Sequence, residues 1–178
     1  MIKNSKARKE YTCSKCDSLI KKGDTYFRGD RFMTTPLIRC QKCGIRSWEC
    51  SSSEYTQTVG SVCDCWEETY GVNEDTVQGI IDELETLRDN CQDNLDNMPE
   101  GLQEGDTGQL LQERIDCLDD VICELENIDY ESIKETVLSD NDYDDYDSLT
   151  DEGKEEVDEN IKNNLTDDIN EALSQLDY

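Results

Sequence analysis

The chain of 178 residues has no histidine, and it has only two residues each of proline, phenylalanine and tryptophan. Histidine is the commonest general acid–base group near neutral pH, so its absence removes the usual catalytic base. The sequence also has no Gly-rich phosphate-binding loop, and no Ser or Cys nucleophile stands beside a candidate base. We therefore expect a protein without enzymatic activity.

Long apolar stretches are also missing. The N-terminal segment MIKNSKARKEY is polar and basic, and no window approaches the ~18–20 apolar residues that a membrane helix needs. These features predict a soluble cytoplasmic protein with no membrane partner. In that compartment the ten cysteines are expected to be reduced thiols, some of them bound to metal, rather than disulfides.

Charge is abundant and unevenly distributed. The net charge is −27, yet residues 1–50 carry twelve Lys/Arg against five Asp/Glu, a balance of +7. The rest of the chain has five basic and 39 acidic residues, a balance of −34. We predict a basic domain over residues 1–66 and an acidic helical domain over residues 67–178, and this asymmetry suggests two different partners.

Two Cys-x2-Cys pairs dominate the basic part. Cys13 and Cys16 form the first pair, and Cys40 and Cys43 form the second, with 23 residues between the pairs. This spacing is typical of a zinc ion bound tetrahedrally by four thiolates. Such a site has no open coordination position, so the zinc is expected to be structural. It contributes on the order of 10–16 kcal/mol to small folds that have few apolar residues.

The residues between and after the two pairs predict a short β-hairpin and a helix. Residues 26–28 and 31–33 favour strands, with Gly29-Asp30 as the turn between them. A short helix that carries Trp48 is expected to begin near Ile45. The predicted fold class is α+β, with a small treble-clef-like zinc finger followed by an all-α helical hairpin or bundle.

The first pair and the residues after it resemble the opening of known zinc fingers. Cys13 and Cys16 are followed by Ile20, Lys22, Gly23 and Asp24, a pattern similar to the first knuckle of LIM-type and PARP-type fingers. Trp48 is similar to the aromatic residue that trails the PARP-type finger. The resemblance covers about 40 residues. It implies a treble-clef or zinc-ribbon fold and, from the PARP-type finger, recognition of DNA ends. PARP-type fingers use a histidine as third ligand, where this chain would use Cys40.

The basic part also predicts a nucleic-acid or partner surface. The candidate contacts are Lys21, Lys22, Arg28, Arg31, Arg39, Lys42 and Arg46. These side chains could neutralise phosphates while Tyr26, Phe27 or Trp48 stacks on bases. Two alternatives remain open: the charges keep a small finger soluble, or they dock it against the acidic part of the same chain.

Three further cysteines, Cys50, Cys63 and Cys65, follow the second pair. A second metal site built from them is one ligand short, and Asp64 or a distant cysteine would have to complete it. We favour structural thiols, or a labile pair formed by Cys63 and Cys65.

Apolar residues at three- and four-residue spacing predict several amphipathic helices after residue 67. An αα-hairpin is expected over about 73–128, with Asn73 as N-cap of its first helix and Pro99 as the stop of that helix. Further helices are expected at about 132–138 and 150–176. Cys91, Cys117 and Cys123 are interpreted as core thiols. The tract 140–151 lacks the Gly and Glu of a calcium loop and is expected to be a solvated acidic loop.

Carboxylates occupy the outward positions of the predicted hairpin. The candidate partner-binding residues are Asp82, Glu85, Asp89, Asp93, Glu113, Asp116, Asp120 and Glu124. A surface of this kind could imitate nucleic acid and occupy the basic cleft of a nucleic-acid-binding enzyme. The alternative is that the acidic charge serves only solubility or adaptation to high salt.

The acidic segment 97–116 resembles stretches of small uncharacterised bacteriophage proteins. That resemblance implies a phage-encoded inhibitor of host machinery, acting in the host cytoplasm. The leading hypothesis is therefore a zinc-binding interaction protein. The alternatives are a DNA- or RNA-binding regulator that acts through the basic part, and a structural or oligomeric component that pairs through its final helix.

Overall fold

The computed structural model describes residues 2–31, 35–141, 143 and 145–176. The fold is α+β: small antiparallel sheets lie near the N-terminus, and six α-helices follow, with 61% of the chain helical. The chain divides into two compact units between Ser61 and Val62. Sequence analysis placed the corresponding division after residue 66. No helix in the described part of the chain is both long and apolar enough to cross a membrane.

Two sheets organise the first unit. Strands β1 (Ile2–Lys6), β4 (Thr25–Gly29) and β5 (Leu37–Cys40) form an antiparallel sheet in the order β1-β4-β5. Strands β2 (Tyr11–Thr12) and β3 (Leu19–Ile20) form a second, two-stranded sheet. All five residues of β1 are exposed, so this strand has no apolar alternation from which it could have been predicted.

The hairpin differs from the prediction. Gly29 lies inside β4, paired with Leu37, and is therefore not a turn residue. The strand beside β4 is Leu37–Cys40 rather than residues 31–33, of which Phe32 and Met33 lie outside the described residues. This register places Cys40 opposite Tyr26, so the partner strand itself delivers a cysteine to the first knuckle.

The helix expected near Ile45 is also different. The chain forms only a three-residue 3-10 turn, Trp48–Cys50, before helix α1 (Glu54–Tyr70). Trp48 packs closely on Gly60 of α1, where an added Cβ would lie 2.3 Å from the Trp48 Cγ atom. Packing on α1 therefore places Trp48, and the prediction of a helix that carries it was wrong.

The second unit is helical. Its helices are the C-terminal part of α1, α2 (Thr76–Asp96), α3 (Glu100–Gln103), α4 (Asp106–Glu126), α5 (Tyr130–Asp140) and α6 (Asp151–Leu173). Helix α2 packs along α4, and α6 packs against both α4 and α5. The predicted apolar stripes form the core of this unit; the fully or almost fully buried residues include Ile80, Leu84, Leu118, Leu125, Ile161, Leu165 and Ile169.

Several predicted details change at the helix ends. Asp75, not Asn73, is the N-cap of α2, and the Asn73 side chain instead accepts a hydrogen bond from the Asp75 backbone N–H at 2.9 Å. Helix α5 begins earlier than predicted because Asp129 caps it through the Glu131 N–H.

Of the three predicted core thiols, Cys91 is buried but Cys123 is exposed, so the prediction was wrong for Cys123.

Candidate metal centre

The first Cys-x2-Cys pair lies in the tight turn between β2 and β3. The Cys13 N–H donates to the Ser18 carbonyl at 3.0 Å, and the Asp17 N–H donates back to the Cys13 carbonyl at 3.0 Å. Asp17 has a φ of 54°, a left-handed conformation that Asp tolerates better than most residues. The turn therefore curls the chain so that Cys16 comes back toward Cys13.

The second pair repeats this geometry at the end of β5. The N–H groups of Cys43 and Gly44 both donate to the Cys40 carbonyl, at 3.2 and 3.1 Å. Gly44 has a φ of 62° and thus matches Asp17 in position and conformation. In each pair, the residue directly after the second cysteine adopts positive φ.

Direct hydrogen bonds join the two turns. The Ser14 N–H and Oγ both donate to the Ile38 carbonyl, at 2.8 and 2.9 Å. The Cys40 N–H donates to the Cys13 Sγ at 3.3 Å. Strand β5 is therefore attached to the first turn on both sides of the sulfur cluster.

The four sulfurs form one compact group. The Sγ atoms of Cys13, Cys16, Cys40 and Cys43 all lie within 4.8 Å of one another, and those of Cys16 and Cys40 are 3.8 Å apart. Four sulfurs at ~2.3 Å from a tetrahedral ion would be separated by about 3.8 Å. All four cysteines are free thiols rather than disulfides. The arrangement therefore suits a metal ion bound by four thiolates.

The thiols influence one another's ionisation. Burial raises the pKa of Cys13, but backbone N–H groups, chiefly that of Cys40, outweigh it and lower the pKa to about 6. The neighbouring Cys16 and Cys40 side chains raise the pKa of Cys43 to about 12. Four thiolates this close repel one another, and a divalent cation among them would remove that penalty.

The predicted basic residues of the first unit fall into two groups. Lys21, Lys22, Arg28 and Lys42 are exposed, although Arg28 also pairs with Asp30 at 2.9 Å. The others are buried or half-buried. The Arg31 Nε donates to the Glu49 backbone carbonyl at 2.7 Å, whereas Arg46 contacts the Glu49 carboxylate through its backbone N–H at 2.8 Å.

Among the predicted surface contacts, Arg39 differs most from its predicted role. Its side chain is 11% exposed and pairs with the Glu49 carboxylate, itself 16% exposed, at 2.6 Å. The ion pair connects β5 to the Trp48–Cys50 turn. Arg39 therefore holds the unit together and does not present its charge to a partner.

The predicted acidic residues lie where sequence analysis placed them. Seven are exposed on α2 and α4: Asp82, Asp89, Asp93, Glu113, Asp116, Asp120 and Glu124; Glu85 is half-buried. Arg88 pairs with Asp89 of its own helix at 3.0 Å and with Asp119 of α4 at 3.2 Å. Arg88 therefore connects α2 to α4 through Asp119, a carboxylate outside the predicted set.

The structure adds three basic residues to the predicted set and contradicts one prediction about the cysteines. Lys3, Lys6 and Arg8 of the N-terminal segment line an open groove, yet they were absent from the predicted basic surface. The signal was visible as four Lys/Arg within residues 3–9. Helix α1 places Cys63 and Cys65 two positions apart, on different faces, so the labile pair does not form.

The cluster formed by the two Cys-x2-Cys pairs is the metal-ligand group found among the described residues. A second site involving Cys50, Cys63 and Cys65 is not found there. Neither a protein-family model, nor a curated protein, nor a solved structure matches the chain. The resemblances to LIM-type and PARP-type fingers and to phage proteins therefore stay predictions.

Proposed function

We propose that this chain is a non-enzymatic zinc-binding interaction protein whose acidic helices bind the basic surface of a nucleic-acid-processing protein. The observation that carries this proposal is the two acidic rows, formed by the predicted carboxylates of α2 and by those of α4, nearly all of them exposed. The rows lie on helices that pack along one another over a buried apolar seam, so the carboxylates are held on a rigid support.

The spacing of the carboxylates supports imitation of nucleic acid. Asp82, Glu85, Asp89 and Asp93 follow one another at intervals of three or four residues, as do the acidic residues of α4. On a helix such neighbours lie about 5–6 Å apart, which produces a line of regularly spaced single negative charges. With five basic residues against 39 acidic ones after residue 50, most of this charge has no cationic neighbour to neutralise it.

Zinc is the metal that the four-cysteine cluster fits best. Thiolates are soft ligands and select zinc over calcium or magnesium, which prefer oxygen. With four protein ligands, the ion would have no free position for a substrate or an activated water, so its role is structural. In this proposal the zinc keeps the first unit folded while the second unit provides the contact surface.

The two alternatives lose part of their basis. Nucleic-acid binding through the predicted basic residues is weakened because Arg31 and Arg39 bind Glu49 within the unit. Pairing through the final helix is weakened because its apolar stripe is already buried, with Val157, Leu165 and Ile169 each 0% exposed. The exposed carboxylates of α2 and α4 keep the basis of their prediction.

A capture experiment tests the proposal. Immobilised full-length protein is incubated with nuclease-treated bacterial extract and then eluted with duplex DNA. The test variant carries Asp89→Asn, Asp93→Asn, Asp116→Asn and Asp120→Asn. The control variant carries four neutralising changes on α5 and α6: Asp140→Asn, Glu155→Gln, Glu159→Gln and Asp167→Asn. Both variants change the net charge by the same amount.

The proposal predicts a nucleic-acid-binding protein that the wild type and the control retain, that DNA displaces, and that the test variant loses. Equal loss with both variants would mean that the acidic charge acts only in bulk. Capture that DNA does not displace would argue against imitation of nucleic acid.

A further inference from the structure

An open groove of about 900 Å³ lies on the first unit beside the edge strand β1. Five cationic side chains line it: Lys3, Lys6, Arg8, Lys22 and Arg28. Asp30 is the acidic residue of the lining, so the groove carries a net charge of about +4 in a protein whose overall charge is −27. All of its lining residues belong to the first unit, and none of them is a cysteine of the sulfur cluster.

Two of these cations face each other across the sheet. Lys3 of β1 is directly opposite Arg28 of β4, an arrangement in which like charges destabilise a strand pair. Asp30 relieves part of this repulsion by pairing with Arg28 at 2.9 Å and with Lys3 at 3.6 Å. One carboxylate faces two cations, and a bound anion would neutralise the remainder.

The groove is fixed by the backbone. The Ala7 N–H donates to the Asp24 carbonyl and the Gly23 N–H donates to the Ala7 carbonyl, each at 2.8 Å. These two bonds hold the turn that carries Lys22 against the segment that carries Arg8. The cations at this end of the groove are therefore brought together by the fold and do not depend on a ligand to assemble them.

Aromatic rings form part of the same lining. Tyr11 and Tyr26 stack with ring centroids 5.1 Å apart, and Tyr26 is only 7% exposed. Tyr11 is half-buried, and the Lys9 ammonium lies 5.5 Å from its ring centroid. The groove thus combines a stacked aromatic pair with five cationic side chains.

We propose that this groove binds the phosphate backbone of single-stranded nucleic acid without sequence preference. Cationic grooves that follow the backbone, with aromatic rings on which bases stack, are the usual way in which proteins bind single strands. A base that stacks on Tyr11 would take the place of the Lys9 ammonium over the ring. An acidic peptide would use the cations but would not use the Tyr11 ring. A concave groove also suits a single strand better than a wider, stiffer duplex.

At physiological salt the Debye length is about 8 Å, so charges farther than this from a bound strand are largely screened, whereas direct phosphate contacts in the groove are not. The inference goes beyond the proposed function, since it concerns a different surface and a different kind of ligand.

The test is fluorescence anisotropy of a labelled oligo-dT strand with the full-length, zinc-loaded protein over a range of salt concentrations. The groove variant combines Lys6→Glu with Arg8→Glu. The matched control combines Lys15→Glu with Lys162→Glu, two exposed lysines that lie outside the groove and outside the predicted nucleic-acid contacts. Metal content and far-UV circular dichroism verify that all three proteins are folded.

We expect salt-sensitive binding by the wild type, with affinity reduced at least tenfold in the groove variant and less than threefold in the control. Each lost phosphate contact should flatten the logarithmic salt slope by about 0.7, so the groove variant should lose about 1.4. Equal losses in both variants, or no wild-type binding at 50 mM salt, would overturn the inference.

Two competitors distinguish other ligands. If poly-glutamate displaces oligo-dT as effectively as unlabelled oligo-dT does, the groove takes acidic peptides and the inference is wrong. If millimolar inorganic phosphate displaces it completely, the site is for small anions and the inference is also wrong. Because neither variant alters α2 or α4, the outcome is independent of the capture experiment on the acidic rows.

Discussion

The two units of this chain are stabilised in different ways. The second unit buries whole rows of leucine and isoleucine from α2, α4 and α6. In the first unit the buried cluster beside the sulfurs consists of Ala7, Cys13, Ile20 and Tyr26. A cluster with four buried residues, one of them a cysteine, offsets little of the chain entropy of so many short strands. In the proposed function, metal ligation supplies to the first unit the stabilisation that apolar burial supplies to the second.

Loss of the metal should have the largest effect, and it should unfold the first unit while the second unit stays folded. We expect Cys16→Ser to abolish stoichiometric zinc binding and to unfold the first unit, because a structural zinc is worth on the order of 10–16 kcal/mol. Cys16 is exposed, so the change removes a ligand without opening a cavity. Hydrogen exchange with mass spectrometry should show lost protection before residue 61 and unchanged protection in α2 and α4. Cys123→Ser, at another exposed cysteine, is the control; an unaffected first unit in Cys16→Ser would refute the comparison.

A substitution in the apolar core should destabilise the second unit and leave the first unit unchanged. Leu118 is 0% exposed in α4, and Leu118→Ala should lower the free energy of unfolding of the second unit by about 2–5 kcal/mol through loss of apolar contact and creation of a cavity. Urea denaturation followed by circular dichroism measures this. Leu110→Ala, at a side chain that is 45% exposed, should change it by less than about 0.5 kcal/mol. Metal content should be the same in both variants. Loss of zinc in Leu118→Ala would contradict the view that the two units are stabilised independently.

The Arg39–Glu49 ion pair offers a smaller effect within the first unit. Glu49→Gln keeps the shape of the side chain but leaves Arg39 nearly buried without its carboxylate, which should cost about 2 kcal/mol. The change should appear as faster hydrogen exchange near Trp48–Cys50 with zinc still bound. Asp30→Asn breaks the exposed Arg28–Asp30 pair instead and should cost less than about 1 kcal/mol. Equal effects would mean that burial of the pair does not matter.

The smallest effect is one of reactivity, with both units still folded. Burial, followed by the charge of Asp64, raises the pKa of Cys63 from 9.0 to about 11. The fold thus favours the neutral thiol, and this contribution to stability is present below pH 9 and is lost as the pH rises through about 11. At pH 8, iodoacetamide should alkylate Cys63 roughly 100-fold more slowly in the native protein than in urea. Equal rates, read by mass spectrometry, would contradict the raised pKa.

The parts of the fold that could be predicted from the sequence are those with periodic or local signals. The spacing of Cys13, Cys16, Cys40 and Cys43 led to the sulfur cluster, and the apolar stripes of α2, α4 and α6 led to their buried faces. Both are patterns in which a few residues at fixed intervals determine the geometry.

Features that depend on tertiary pairing were not predicted. Strand β1 is polar and is a strand only because β4 lies beside it. The partner of β4 was assigned to the nearest strand-forming residues, whereas Leu37–Cys40 pairs with it across a longer connection. The sequence predicts a surface charge at Arg39, because nothing near it in the chain indicates that Glu49 pairs with it. Helix α1 was overlooked, although Tyr55, Val59, Val62 and Trp66 have helical spacing.

The protein carries two tryptophans, and the fold places one in each unit. Trp48 lies in the 3-10 turn against Gly60. Trp66 is 2% exposed, and its indole N–H donates to the Asn170 side chain at 3.1 Å. Replacing either ring by phenylalanine would leave a single tryptophan, which excitation at the red edge of its absorption selects over the eight tyrosines. The two resulting proteins would let a spectrometer follow the melting of each unit without any attached dye.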